Sequence, residues 1–550
     1  MKINSKFKLY IYCLSVLLAL SVALEFFSFI KIKDKAYEGF SAERVADDIR
    51  YISKQPHSIE HPKERELVRN YLFHRLEQMG GSTEVFAYDS IPCKFGGYFD
   101  IANVYSRFDP DSITPDTQYL LLVAHMDSRF FNVVLQDTVY SYGAADDGYG
   151  LGVILESVSV ALKYRNEWRQ GIKVLFTDAE EHELDGMRNA LEYDRHIFDN
   201  VNFVVNVEAR GVKGKALLFE TSPGNERLMG LYKHASIPRG FSLTTVVYKA
   251  MPNDTDFSLI KDSIPGMNFA VIDNLRYYHT DLDNFSNISR ESLQHYGMQL
   301  EPIIKEYLTS AVYSTPESLR SGEDTVFFSL PLLGMFGFSW YQYLALNISA
   351  CLLLAFVILL YVQLGGIAFF RVLKCALYTG AFMVCALGIG EGTAYAAAKV
   401  TGQEFNIIAL KYVKYDNFIV AGFFILCLIA VILFFRRMSG RYKYFAVEFL
   451  LGALLLAGLL AMAMFVAFTE NFFLLLPVFI TSAALLVGLV KWGKWIFLLS
   501  AVLNTILLGY FIYLLYIALT IGSLGILLML WSFYIILLLA QYYCYKGKRF

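Results

Sequence analysis

Apolar positions follow two regimes along this chain. From Trp340 to Tyr543 they are almost continuous, in runs at about 341–362, 371–390, 417–435, 445–468, 472–490, 496–519 and 521–543. Each run approaches the roughly 20 residues that a helix needs to cross a bilayer. A further run, 9–30, follows Lys2, Lys6 and Lys8. Between 31 and about 325 the apolar residues come in short bursts, and most of the Asp, Glu and His lie there. The pattern predicts an N-terminal transmembrane anchor (1–30), a domain outside the bilayer (31–325) and an all-α membrane domain of about seven helices (326–550).

The first run could be read as a cleaved signal peptide. Phe26, Phe27, Phe29 and Ile30 follow it in place of a small-x-small cleavage site, which favours an uncleaved anchor. The last two runs are split only at Thr520–Gly525, so seven spans is the alternative to eight. Loop charges bear on the count. With a cytoplasmic N-terminus, Arg371 and Lys374, then Arg436, Arg437, Arg441 and Lys443, then Lys491 and Lys494, and finally Lys546, Lys548 and Arg549 all fall inside. Among short outer segments only 391–416 carries bases: Lys399, Lys411 and Lys414. The positive-inside rule therefore predicts eight spans, both termini cytoplasmic and an extracytoplasmic 31–325 domain.

Within that domain, strand and helix patterns alternate. Ala42–Leu76 reads as largely helical, and so do Gly150–Leu162 and the short Met187–Leu191. Tyr119–Ala124, Ile172–Thr177, Phe203–Val207 and Ala216–Glu220 are apolar bursts of strand length. Such alternation predicts an α/β fold with a mixed, mostly parallel sheet flanked by helices.

Composition sharpens the picture. The chain is 56% hydrophobic, 16% aromatic and 18% charged, below the roughly 25% charge of soluble domains. Its mean hydropathy is +0.42. A lipid bilayer is therefore an expected partner, and a formal charge of -2 offers nothing to a nucleic acid. Of seven cysteines only Cys93 lies in 31–325, so no disulfide can staple that domain.

The candidate chemistry clusters after the predicted strands. His125 and Asp127 follow the first, Asp178, Glu180 and Glu181 the second, and Glu208 the third. In open α/β sheets, ligands bind beyond the carboxyl ends of strands. His125, Asp146, Glu181, Glu208 and His279 make a nitrogen and oxygen set without thiolate, which suits zinc in a catalytic site. One bridging carboxylate with terminal ligands on either side would hold two ions, and paired ions activate a shared water. Glu180, beside Glu181, is left free as a general base, and Asp127 can orient the His125 imidazole. Taken singly, Asp146-Asp147-Gly148 is an ordinary turn, Glu180-Glu181 a solvated pair and His279-Thr280-Asp281 a helix start. Their order and their placement after strands carry the reading.

At this point the sequence resembles the dinuclear zinc aminopeptidase family, and within it the membrane-embedded vacuolar membrane proteases and endoplasmic reticulum metallopeptidases. The motifs, in order, are Val123-Ala124-His125-Met126-Asp127-Ser128, Gly143-Ala144-Ala145-Asp146-Asp147-Gly148, Asp178-Ala179-Glu180-Glu181, Asn206-Val207-Glu208-Ala209-Arg210-Gly211, Asn253-Asp254-Thr255-Asp256-Phe257 and Tyr278-His279-Thr280. They cover about residues 40–310. The resemblance implies that Asp146 bridges two zinc ions and is joined to Asp147 by a cis peptide. It also implies that His125 and Glu208 complete one ion, and Glu181 and His279 the other. Glu180 would be the general base and acid, Asp127 would orient His125, and Asp256 would line the substrate site. Peptides are the implied substrates and N-terminal hydrolysis the implied reaction. Two departures stand out. After the two glutamates the family usually shows a Gly two positions on and a Gly-Ser pair later, where this sequence has Glu183, Gly186 and Met187, and Glu208 stands where many soluble members carry Asp.

Other candidates read as structural: His57, His61, His74, His182, His196, His234 and His295 have no motif partner. Glu25, Glu391 and Glu448 lie in or near spans, where an acid is a functional hypothesis by default. Two competing functions are a glutaminyl-cyclase-like acyltransfer enzyme and a non-catalytic receptor or transporter. The first lacks the histidine that His125 supplies; a pseudo-enzyme would be expected to have lost a ligand or the base.

Overall fold

Runs of Val, Leu, Ile and Phe that are buried on both faces of a sheet read as continuous apolar bursts, and they become the central strands here. In the computed structural model, the described residues are 5–132, 137–249, 254–407, 410, 413–439, 444–490 and 493–546. Asn253 and the loop bases Lys2, Lys411, Arg441, Lys443, Lys491, Lys548 and Arg549 lie outside them. The chain forms two compact units. One comprises Ile30–Ser329 with Gly334–Trp340, and the other Met1–Phe29, Leu330–Leu333 and Tyr341–Phe550.

The first unit is built on a seven-stranded mixed sheet. In chain order its strands are β1 (Ser82–Pro92), β2 (Tyr98–Phe108), β3 (Tyr119–His125), β4 (Gly171–Thr177), β5 (Val201–Ala209), β6 (Leu217–Thr221) and β7 (Gly266–Val271). Their spatial order is β1-β2-β4-β3-β5-β7-β6. The four central strands are parallel, with Leu122 beside Val174 and Val205, and Val207 beside Phe269. β1, β2 and β6 run antiparallel along the two edges.

Alternate residues of the central strands feed two cores. Leu120, Leu122, Ile172, Val174 and Val205 pack with the helices Ala42–Ile52, Gly148–Ala161 and Arg290–Thr309. Leu121, Val123, Leu175 and Val204 pack with Met187, Ala190, Phe257 and Ile260 on the other face. Burial of one such Leu contributes about 1.5–3 kcal/mol, so this double cover supplies most of the domain's stability. Gly150 lets the helix Gly148–Ala161 lie close on β5: a Cβ there would stand 2.5 Å from the Val207 carbonyl oxygen.

Several details differ from the sequence reading. Ala42–Leu76 is not one helix but two, Ala42–Ile52 and Pro62–Gln78. Pro56 lies between them and Pro62 opens the second, since proline has no N–H to continue a helix. β1, β2, β7 and the helix Arg290–Thr309 were not predicted.

Among the described residues of the second unit, six helices are long and apolar enough to cross a membrane, and Phe472–Gly488 is a shorter apolar helix. The stretch Gly493–Lys546 is folded back on itself. Its first arm bears Ser500 and Thr505, its second Gln541 and Tyr534, and these pair across at 2.8 and 2.9 Å. The short turn Thr520–Ser523 joins the arms, which are two helical passes. Helix Ser5–Ala23 packs against the same arms. Tyr12 is buried and donates to the Leu538 carbonyl at 2.7 Å, and Ala23 meets Gly509. It stops short of residue 30 because Glu25 takes a left-handed φ of 59°. Glu448 is buried, and Arg371 donates to it at 3.3 Å.

Candidate metal centre

Parallel strands end on the same edge of a sheet, so whatever follows each strand is gathered there. His125 is the last residue of β3, Glu208 the last but one of β5, and Asp178, Ala179, Glu180 and Glu181 follow β4 directly. Ala179 takes a left-handed φ of 56°, which turns the chain abruptly out of the strand. Asp146 precedes the helix Gly148–Ala161, whose N-cap Asp147 accepts from the Gly150 N–H at 2.9 Å. The Asp146–Asp147 peptide is cis. His279 lies in the loop after β7, again at a left-handed φ of 59°, with its ring stacked on Tyr278.

These residues form two triads that share one carboxylate. His125, Asp146 and Glu208 make the first, and Asp146, Glu181 and His279 the second. Asp146 Oδ1 lies 3.4 Å from His125 Nε2, and Glu208 Oε2 lies 3.7 Å from the same nitrogen. Asp146 Oδ2 lies 3.3 Å from His279 Nε2, and Glu181 Oε1 lies 3.2 Å from it. Asp146 Oδ2, Glu181 Oε1 and His279 Nε2 are buried atoms that take part in no hydrogen bond.

Two donor atoms each about 2.1 Å from a tetrahedral ion stand about 3.4 Å apart. The four separations bracket that value, and the unsatisfied atoms point at one another. The residues therefore fit a metal such as zinc at each triad. The electrostatics agree. Desolvation disfavours a charged His125, yet Glu180, Asp127, Asp146 and Glu208 together favour the imidazolium. Burial raises Glu208 to about 8, because like charges crowd a site with little water. The crowded carboxylates suit a cation at this site.

The surrounding residues hold the triads in place. Asp127 was expected to orient His125. Its carbonyl oxygen lies 3.0 Å from Nδ1, and its Oδ1 lies 3.4 Å away. The same carboxylate also accepts from the Glu180 and Glu181 N–H groups at 2.9 and 3.3 Å. One side chain thus fixes a histidine and the turn bearing both glutamates. Asp178 anchors that turn from behind, accepting from Arg65 at 3.0 Å and from the Ala102 N–H at 2.9 Å. Burial raises Asp178 to about 6 despite Arg65. Gly186, in the stretch where the family pattern was compared above, is required here: a Cβ would lie 2.5 Å from the Asp178 carbonyl oxygen.

Two residues that sequence reasoning missed complete the frame. Arg129 donates to the Glu181 carbonyl at 2.5 Å and to its Oε2 at 2.9 Å, leaving Oε1 for the second triad. Burial alone would raise Glu181, but His279 and Arg129 outweigh it and hold the carboxyl well below its usual range. Asp283 accepts from the Ala145 and Asp146 N–H groups at 2.7 and 3.1 Å, so it fixes the loop that carries the shared carboxylate. Its position, four residues after His279, was the available signal.

Glu180 opens the short helix Glu180–Glu183, directly before Glu181. Loss of solvent, with Glu208, Glu181 and Asp256 nearby, raises it well above the usual carboxylate range. Asp256 is fully buried at the start of a short helix and accepts from Thr177 Oγ1 at 2.5 Å. It is raised to about 7 by burial. Among the histidines set aside earlier, His182 pairs with Asp185 at 2.6 Å and His57 is buried beside Ser128.

Known proteins bear on this site. Residues 103–303 match the model of peptidase family M28. Rat endoplasmic reticulum metallopeptidase 1 is 30% identical over 247 residues, 44% of this chain and 26% of that protein. The vacuolar membrane protease of Schizosaccharomyces pombe is 24% identical over 423 residues, 73% of this chain and 46% of that protein. The chain thus spans less than half the length of either relative. A glutaminyl cyclase structure from Porphyromonas gingivalis superposes with a TM-score of 0.41 at 18% identity, covering 49% of this chain and 99% of that one. The six candidate residues His125, Asp146, Glu180, Glu181, Glu208 and His279 lie within the matched segment. Residues 103–303 of this chain are a peptidase family M28 domain.

Proposed function

We propose that this chain is a membrane-anchored zinc metallopeptidase that removes N-terminal residues from peptides with two zinc ions per chain. The observation that carries the proposal is the pair of triads sharing Asp146, with donor separations of 3.2–3.7 Å. The M28 match and the metallopeptidase relatives support it. His125, Asp146 and Glu208 would hold one ion, and Asp146, Glu181 and His279 the other. Bound zinc supplies a Lewis acid for the scissile carbonyl and lowers the pKa of a coordinated water.

The chain's own residues do the rest. Glu180, kept basic enough by its desolvated and acidic surroundings, accepts the proton of the attacking water and delivers it to the leaving amine. Asp127 keeps His125 and the Glu180 turn in register, so base and ligands cannot drift apart. Asp283 and Arg129 do the same for Asp146 and Glu181. Asp256 lines the site near Thr177, where a carboxylate suits a substrate ammonium. The 31–325 domain lies opposite the cytoplasm in this reading, with both termini inside. Arg436, Arg437, Lys494 and Lys546, at or beside helix ends that face inward in this reading, motivate that topology.

The test is hydrolysis of an aminoacyl-arylamide and of its N-acetylated form by the purified full chain. The free-amine substrate should be cleaved, a chelator should abolish cleavage and zinc should restore it. Cleavage of the acetylated form at an equal rate would rule out the aminopeptidase assignment. Conversion of N-terminal glutamine without hydrolysis would favour the cyclase-like chemistry.

A further inference from the structure

A short two-stranded hairpin, Thr325–Leu330 and Gly334–Ser339, leads from the peptidase domain directly into the helix Trp340–Gln363. One side of it is anchored: Phe327 is buried in the larger core of that domain, and Met335 packs against the same core. Its tip is uncovered. Leu332 is 70% exposed, Leu333 57% and Phe336, on the second strand, 37%. The sequence carries no charged residue from Thr325 to Phe370. Strand edges that face water ordinarily carry charges, which keep them from associating.

The turn itself is unusual. The Leu333 N–H donates to the Leu330 carbonyl at 3.2 Å, with Pro331 second and Leu332 third in the turn. Leu332 takes a left-handed φ of 64°. Turns with a left-handed third residue favour Gly or Asn there. A leucine in that place serves the surroundings of its side chain rather than the turn.

Two observations put those surroundings in a bilayer. Leu330–Leu333 belong to the helical unit, although Ser329 before them and Gly334 after them belong to the other. Leu332 is nevertheless as uncovered as Leu352, 66% exposed on the outside of Trp340–Gln363. Second, Trp340 and Tyr341 open that helix, and such aromatic residues sit at the headgroup level of a membrane span. The six residues of the strand Gly334–Ser339 cover about 20 Å, so the tip stays within that distance of the headgroups.

We propose that this hairpin is a lipid-inserted element, with Leu332 and Leu333 entering the leaflet on the peptidase side of the membrane and Phe336 at its boundary. Exposed apolar patches mark membrane or protein partners. Continuity with a membrane-spanning helix selects lipid here. The absence of charge selects the acyl region over an anionic headgroup or an acidic peptide.

Tryptophan fluorescence of the full chain in phosphatidylcholine nanodiscs tests this. The signal is the emission that Leu332→Trp adds to that of the parent, so the native tryptophans cancel. Replacing the lipid with phosphatidylcholine brominated near the head of its acyl chains should reduce the added emission at least about twofold, since interfacial side chains bury to about 5–10 Å. Iodide in the buffer should leave it nearly unchanged. Leu333→Trp takes its place if the first variant does not fold. Quenching by iodide without quenching by brominated lipid would put the tip in water and overturn the proposal. Quenching by neither would show protein over the tip, such as a second copy of this chain, and would overturn it equally.

Discussion

The two units bury their unsatisfied polar atoms in different chemical form. In the peptidase domain, these atoms include Asp146 Oδ2, Glu181 Oε1 and His279 Nε2, surrounded by further carboxylates and braced by Asp127, Arg129 and Asp283. In the helical unit they include Asn504 Oδ1 and Gln541 Oε1, attached to uncharged side chains and braced by two hydroxyls. The sheet domain can concentrate negative charge because backbone N–H groups and an arginine accept part of it. The helical unit also buries a carboxylate, Glu448, but there an arginine, Arg371, donates to it at 3.3 Å. The charge of the Asp146 cluster thus suits a divalent ion, which the uncharged cluster does not.

That comparison can be broken most forcefully at Glu180. Glu180→Gln keeps the shape but cannot take a proton, and should reduce turnover by about 10²–10⁴-fold with zinc content unchanged. Metal analysis and steady-state rates on the same preparation decide it. Loss of zinc in Glu180→Gln would assign it to the ligand set instead.

Packing contrasts next. Leu122 is 1% exposed in β3, whereas Leu352 is 66% exposed on a helix long enough to span a bilayer. Leu122→Ala should destabilise the peptidase domain by about 2–5 kcal/mol. Leu352→Ala, facing lipid in the membrane-spanning reading, should leave thermal unfolding in detergent within about 0.5 kcal/mol of the parent.

A smaller effect is expected from the frame around the triads. Asp283→Ala removes the acceptor that holds the Asp146 loop and should weaken zinc affinity about 10–100-fold. Competition against a chromophoric chelator reads this directly, and an unchanged affinity would reduce Asp283 to a structural residue.

The smallest effect is a pH dependence. Burial lowers His57 to about 4, against about 6.5 in an unfolded chain. The unfolded state then binds more protons between these values. The contribution of neutral His57 is fully present above about pH 6.5 and is lost as pH falls toward about 4. At about pH 5 the loss comes to about 2 kcal/mol. Melting curves of the parent and His57→Gln should converge on acidification across this window, and parallel curves would remove His57 as the cause.

Legibility from sequence followed burial. β3, β4 and β5 were readable because Tyr119–Ala124, Ile172–Thr177 and Phe203–Val207 are apolar on both faces. β1 was not, since most of Ser82–Pro92 is exposed at an edge and its residues are mixed in polarity. β2 hides because buried Asn103 interrupts its apolar pattern. That side chain accepts from the Asp178 N–H at 3.0 Å and donates to the Gly186 carbonyl at 2.8 Å, so its polarity serves the turn before Glu180. The triad residues were legible because each follows a strand or opens a helix. Arg129 and Asp283 were not, because they act on a carboxylate and on backbone N–H groups that only the folded chain brings near.

In the proposed function Asp146 is shared between two metal ions. Zinc counted per chain in the purified full-length protein, titrated from the chelated state, tests it most directly. Binding should saturate at about two ions in the parent, and at about one in a His279→Ala variant, because only one triad is disturbed. Saturation of the parent at about one ion, with full activity, would contradict it.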